Sequence, residues 1–219
     1  MSTRNTAIFD LDGTLYDYDS CNSISETGLA GTISECFGVS VDRAYELLRT
    51  AKSNVKQRLG VGVAASHNRM LYMQEICELE RKNSLQYALL FYDAYWNCML
   101  EHMELFDYVI PLFDGLAEKG IKIGIVTDLT AQIQHKKLRR LGLTNYVSCI
   151  VTSEEIGEEK PSEKMFFAAC EKIGILPQDA IMIGDSMEKD IAGAKSIGME
   201  ALLFDGSTEF IKKARAILG

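Results

Sequence analysis

Two carboxylates stand two residues apart in Asp10-Leu11-Asp12-Gly13-Thr14. Extended chain has a side-chain period of two, so both start on the same side. Carboxylates that approach each other repel, and a shared proton or an intervening cation relieves the repulsion. One of the pair can act as nucleophile, the other as general acid and then general base. Gly13 permits a sharp turn directly afterwards. Further polar groups lie downstream: Thr127-Asp128, Lys160 within Glu159-Lys160-Pro161-Ser162, and Gly184-Asp185-Ser186, with Asp190 five residues beyond Asp185. Asp185 adds a carboxylate, and carboxylates with water and a substrate phosphate are the usual setting for Mg²⁺. Thr127 offers a hydroxyl and Lys160 a positive charge. Both suit a transferring phosphoryl group, whose charge spreads over three oxygens. Ser186 and Asp190 support the set, Asp190 at a helix start where negative charge is tolerated. Asp128 belongs with the phosphate-binding positions by its place in the chain. Its charge opposes a phosphate, so the expectation is that it turns away to cap the next helix.

Ligands of open α/β sheets bind beyond the carboxyl ends of the strands, and these polar residues fall at such ends. Residues 6–10 are a short apolar run stopping at an acid, which reads as a buried strand. From residue 111 the texture alternates. Helical stretches are expected at 111–119, 131–141, 162–173, 188–197 and 207–217, and strands at 121–126, 147–151, 180–183 and 201–204. Gly120, Gly142, Gly174 and Gly198 follow four of the helices as stop residues. Alternation of this length implies right-handed βαβ units and a parallel sheet. Residues 17–105 instead read as helical throughout, with start signals at Ser40 and Asp42 and stops at Gly38 and Gly60. Leu85, Ala88, Leu89, Tyr92, Trp96, Met99 and Met103 step by three or four, the spacing of one packed helix face. The expected architecture is an α/β, Rossmann-like core of residues 1–16 and 106–219, interrupted by an all-helical domain at 17–105.

The chain has 219 residues, 23 basic and 31 acidic, for a net charge of −8. That length can bury roughly 70% of the unfolded chain's surface. The acidic balance argues against a nucleic-acid polymer or an anionic membrane as partner. No apolar run approaches the roughly 18 residues of a membrane span. The polar N-terminus lacks the apolar stretch of about 7–15 residues in a signal peptide. Six scattered cysteines without a CxxC pattern suit reduced thiols and a cytoplasmic protein. The acidic run 154–159 is expected to be a solvated loop ending at Lys160. Nothing in the pattern specifies an oligomeric state.

Taken together, the motifs resemble the haloacid dehalogenase superfamily, specifically its phosphatases with a helical cap inserted after motif one. Asp10 through Thr14 match motif one, Thr127 motif two, Lys160 motif three, and Gly184-Asp185-Ser186 through Asp190 motif four. The resemblance implies a Mg²⁺-dependent phosphomonoesterase that hydrolyses a small phosphorylated metabolite, such as a sugar phosphate or nucleotide, through an aspartyl-phosphate. Asp10 would be the nucleophile and a metal ligand. Asp12 would be the acid and base, its carbonyl also on the metal. Thr127 and Lys160 would hold phosphoryl oxygens, Asp185 would bind Mg²⁺, and Asp190 would orient Lys160 or a metal-bound water. Asp12 disfavours dehalogenation, since true dehalogenases of this type lack that carboxylate. A phosphomutase, or a non-catalytic phosphometabolite-binding protein, stands as the alternative. The helical block is broadly similar to N-acylneuraminate-9-phosphatase and pyrimidine-nucleotidase-like members. Its selectivity candidates are His67, Arg69 and Arg58, followed by Lys52 and Lys56.

Overall fold

The computed structural model describes residues 5–217. The polar N-terminal residues 1–4 lie outside that range. The chain forms two compact units. One runs up to Asp17 and resumes at Glu104; the other spans Tyr18–Met103.

The first unit is a Rossmann-like α/β domain. Its strands are β1 (Thr6–Phe9), β2 (Lys122–Thr127), β3 (Val147–Thr152), β4 (Ala180–Gly184) and β5 (Glu200–Leu203). They form one sheet in the order β3-β2-β1-β4-β5, with every pairing parallel. Strand β1 is central and wholly buried, which is why it reads as an unbroken apolar run rather than an alternating one. Phe9 lies level with Ile125 of β2 and Ile183 of β4. Ile8, Val126, Val151, Met165, Phe166 and Met182 share a single packed core cluster. The chain runs outward from β1 to β2 and β3, then returns to the other side of β1 for β4 and β5. That reversal makes a crevice at the carboxyl ends of β1 and its neighbours.

The connecting helices include α5 (Val109–Glu118), α6 (Ala131–Arg140), α8 (Glu163–Ile173) and α10 (Thr208–Ile217). Gly120, Gly142, Gly174 and Gly198 all have positive φ, as stop residues require. Two elements differ from expectation. The acidic run after β3 opens as a short helix, α7 (Ser153–Ile156). The helix expected at 188–197 begins with a wide π-type turn over Met187–Ala192, then closes as α9 (Gly193–Ser196). In that turn the Ile191 amide donates to the Ser186 carbonyl, five residues back, at 3.2 Å. Such widened turns recur at functional sites. Here the turn carries Asp190.

The second unit packs α1 (Tyr18–Phe37), α2 (Val41–Leu59), α3 (Arg69–Leu79) and α4 (Ser84–His102) around its own core. Asn68 and Asn83 cap α3 and α4 through their side-chain oxygens. The buried face of α4 is Ala88, Phe91, Tyr95, Trp96 and Met99, whereas Leu85 is 94% exposed and Leu89 is exposed too. Both stripes satisfy helical spacing. Polar anchoring accompanies the observed one, since the Tyr95 hydroxyl donates to Asn22 Oδ1 at 2.6 Å. Among the described residues, no helix is long and apolar enough to cross a membrane.

Candidate active site

Lys160 Nζ stands between two buried carboxylates, donating to Asp10 Oδ1 and to Asp190 Oδ1, each at 2.6 Å. Asp10 directly follows β1, and its amide still bonds to Ile183 of β4 at 2.8 Å. Burial pushes the Asp10 carboxyl well above the usual carboxylate range. Lys160 opposes that shift, while Asp190 and Asp12 add to it. Burial alone would lower Lys160, but the two carboxylates outweigh it and hold the lysine charged. The other Asp190 oxygen accepts from the Ser186 amide at 3.0 Å. Gly184 makes this approach possible, because a methyl group there would overlap the Asp190 carboxyl.

Asp128 does not cap α6. Its Oδ1 accepts from the Lys160 amide at 3.0 Å, and its Oδ2 pairs with Lys189 Nζ at 2.7 Å. Lys189 reaches on to Glu159 Oε2 at 3.3 Å. Asp128 therefore holds the backbone beneath Lys160 and places its charge against a lysine. The first amide of α6, on Ala131, is capped instead by Glu154 Oε2 at 2.8 Å. The run 154–159 is largely solvent-facing up to Glu158, but its acids are bonded and Glu159 is buried. Glu154 caps, Glu155 pairs with Lys172, Glu158 with Lys164, and Glu159 is buried against Lys189.

Asp185 is exposed at the end of β4, and its Oδ1 accepts from Thr14 Oγ1 at 3.1 Å. Gly13 has φ +88°, and a Cβ there would come within 2.6 Å of Asp185 Oδ2. Carboxylate oxygens of Asp10, Asp185 and Asp190 lie within 4.8 Å of one another. An all-oxygen set of this kind suits a hard divalent cation. Asp190 commits both oxygens, to Lys160 and the Ser186 amide, whereas Asp10 Oδ2 accepts only a long 3.5 Å bond from Thr14, so Asp10 and Asp185 have more ligand capacity.

Asp12 departs from the geometry its spacing suggested. It lies beyond the end of β1, and its carboxylate does not join that of Asp10. Lys137 Nζ donates to both its oxygens, at 2.7 and 2.8 Å; Tyr16 donates to Oδ1 at 2.6 Å and Gln134 Nε2 to Oδ2 at 3.1 Å. Burial would raise this carboxyl. The charge of Lys137 and the donated hydrogen bonds prevail and hold it below the usual range. The repulsion between Asp10 and Asp12 is met by two lysines, one for each. For a metal, Asp12 has only its carbonyl to offer. Thr127 is fully buried at the end of β2, its Oγ1 accepting from Gln134 Nε2 at 2.6 Å.

Lys137 and Gln134 do not stand out in the sequence. Lys137 sits in the basic stretch Lys136-Lys137-Leu138-Arg139-Arg140, where a solvated face is the natural reading. Their one signal is the period: Gln134, Lys137, Leu138 and Leu141 step by three, one and three along the buried stripe of α6, and Lys137 is 0% exposed.

The sequence model of the haloacid dehalogenase-like hydrolases matches residues 5–198. The chain belongs to this family. A ribulose-1,5-bisphosphate 5-phosphatase from Halopiger xanaduensis is 40% identical over 207 residues, covering 92% of this chain and 85% of that protein. A mouse N-acylneuraminate-9-phosphatase is 31% identical over 113 residues, 52% of this chain and 45% of its own. The crystal structure of a phosphatase of this family from Thermococcus onnurineus matches with a TM-score of 0.73 and 25% identity, covering 98% of both chains.

For this member of the haloacid dehalogenase-like hydrolases, the selectivity candidates all lie in the helical unit, and they do not all line one cavity. Arg58 pairs with Glu75 at 2.9 Å, tying α2 to α3. His67 ends a short 3₁₀ turn, and its carbonyl accepts from Arg69 at 2.9 Å. Arg69 is buried on α3, and Lys52 is exposed on α2. These two line one cavity, to which Arg58 and His67 do not contribute.

Proposed function

We propose that this hydrolase is a Mg²⁺-dependent phosphomonoesterase of a sugar bisphosphate, working through an aspartyl-phosphate on Asp10. Family membership and the relatives make it a phosphatase of a small phosphorylated metabolite. The substrate class, the metal and the residue roles are what we add. The bisphosphate comes from the 40% identical relative. The observation that carries the mechanism is Lys160 held between Asp10 and Asp190, with Asp185 alongside.

Asp10 and Asp185 would hold Mg²⁺, with the Asp12 carbonyl; once bound there it offsets the charge of the phosphoryl group. A carboxylate oxygen of Asp10 attacks phosphorus, and the P–O bond to the sugar breaks. Asp12, as the acid, gives its proton to the departing oxygen. Water then attacks the acyl phosphate, Asp12 takes that water's proton, and inorganic phosphate leaves. Lys137, Tyr16 and Gln134 stabilise the carboxylate form of Asp12 that this second half needs. Asp12 must gain a proton and loosen from Lys137 before the first. Thr127 and Lys160 hold the phosphoryl oxygens, and Asp190 fixes the direction of Lys160. A cytoplasmic setting suits the six cysteines, all of them free thiols.

The test is phosphate release from a panel of sugar bisphosphates, sugar monophosphates and nucleotides, with Mg²⁺ and with EDTA. A sugar bisphosphate should give the highest kcat/KM, and EDTA should abolish turnover. Preference for a nucleotide, or equal rates in EDTA, would overturn the reading. Transfer to a second sugar hydroxyl in place of release to water would indicate a mutase.

A further inference from the structure

The helical unit encloses a cavity of about 320 Å³ between α1, α2, α3 and α4. Such a volume is in the range of about 300–1,000 Å³ for small-molecule sites. Its charged lining is Arg49, Lys52, Arg69 and Glu26, three cations against one carboxylate. That balance is the reverse of the chain's, whose net charge is −8.

Arg69 is the unusual member. It is 7% exposed, yet among the described residues no carboxylate pairs with it. Its guanidinium donates to the His67 carbonyl and the Tyr18 hydroxyl, each at 2.9 Å, and to the Tyr95 hydroxyl at 3.5 Å. Its central carbon lies 5.4 Å from the ring centres of Tyr72 and Tyr95, and 5.9 Å from that of Trp96. Neutral acceptors and aromatic faces recover part of the cost of burying the charge. They supply no counter-charge, and a buried cation without one is costly. A guanidinium has five donors, so Arg69 keeps some unspent. Arg49 and Lys52 are three apart on α2 and line the same cavity. Among the described residues, neither of them nor Glu26 makes an ion pair.

We propose that this cavity is an anion site that binds the phosphate group of a small metabolite, with Arg69 as its buried anchor and Arg49 and Lys52 at its exposed edge. The ligand is argued from this cavity alone, as a phosphorylated small metabolite. The site does not depend on the residue roles proposed for Asp10 or Asp12.

Trp96 is the single tryptophan of the chain and lies beside Arg69, so its fluorescence reports on the cavity. The full chain is titrated with inorganic phosphate and with ribulose 1,5-bisphosphate in EDTA. Saturable change is expected, and R49M/K52M, which alters exposed positions, should weaken the apparent Kd at least tenfold. R69M should remove the response and R69K keep part of it. No Trp96 response to either probe, or one unchanged in R49M/K52M, would overturn the proposal. A chain that binds the probes but hydrolyses nothing would refute the phosphatase reading and leave this one standing.

Discussion

Asp10→Asn is expected to lower kcat by at least about 10⁴-fold while the chain stays folded. The amide has no lone pair fit to attack phosphorus, so the covalent route closes. The fold should survive. Asparagine matches aspartate in shape, and Lys160 keeps Asp190 as a partner at 2.6 Å. Burial already works against the charged form of Asp10, so losing that charge relieves desolvation as well as removing an ion pair. Phosphate release and a thermal melt, run side by side, check both halves. Wild-type turnover in a folded Asp10→Asn protein would refute the nucleophile assignment.

Lys160→Met is expected to damage both stability and rate. Nζ is 2.6 Å from Asp10 and 2.6 Å from Asp190, and all three side chains are buried. Removing the lysine leaves two carboxylates facing each other out of water. Breaking a buried ion pair costs about 3–5 kcal/mol, and in a chain this long each kcal/mol moves Tm by about 2–4 °C. A drop in Tm of about 10 °C in EDTA is therefore expected, with kcat down about 10³-fold. The sign with pH follows from the groups. Lys160 is raised in the folded state, so its contribution is complete below the ordinary lysine range and fades only above it. In the variant Asp10, already pushed up by burial, can take a proton as pH falls, which relieves its repulsion with Asp190. The gap in Tm between wild type and Lys160→Met should narrow as pH falls through the raised range of Asp10. A gap that is constant with pH would mean the lysine acts by packing alone.

The positions proposed as catalytic are legible in the sequence because they sit where strands end. Asp10, Thr127 and Asp185 interrupt apolar runs, and a polar group that ends a buried strand faces the crevice where ligands bind. Helix ends are legible through Gly120, Gly142, Gly174 and Gly198, since positive φ narrows the choice of residue. What escapes depends on partners far away in the chain. Asp128 has the position of a cap for α6, yet Glu154, 23 residues after Ala131, fills that role, freeing Asp128 to hold the Lys160 backbone. Lys137 is hidden by basic neighbours, and only its burial sets it apart. The α4 face is ambiguous because Leu85-Leu89 and Ala88-Phe91-Tyr95 satisfy the same period. The π-type turn that carries Asp190 leaves no trace in composition. Arg69 is conspicuous as a charge in the helical block, but its lack of a carboxylate partner among the described residues becomes visible only when four helices surround it.

The central claim is that Asp10 carries the phosphoryl group during turnover. It is tested most directly by mixing the wild-type chain with Mg²⁺ and a sugar bisphosphate, quenching in acid within one turnover, and mapping the phosphoryl group by peptide mass. The account predicts a hydroxylamine-labile phosphoryl group on the peptide containing Asp10, absent when Mg²⁺ is withheld. Steady turnover with no phosphorylated peptide, or with the group on another residue, would contradict it.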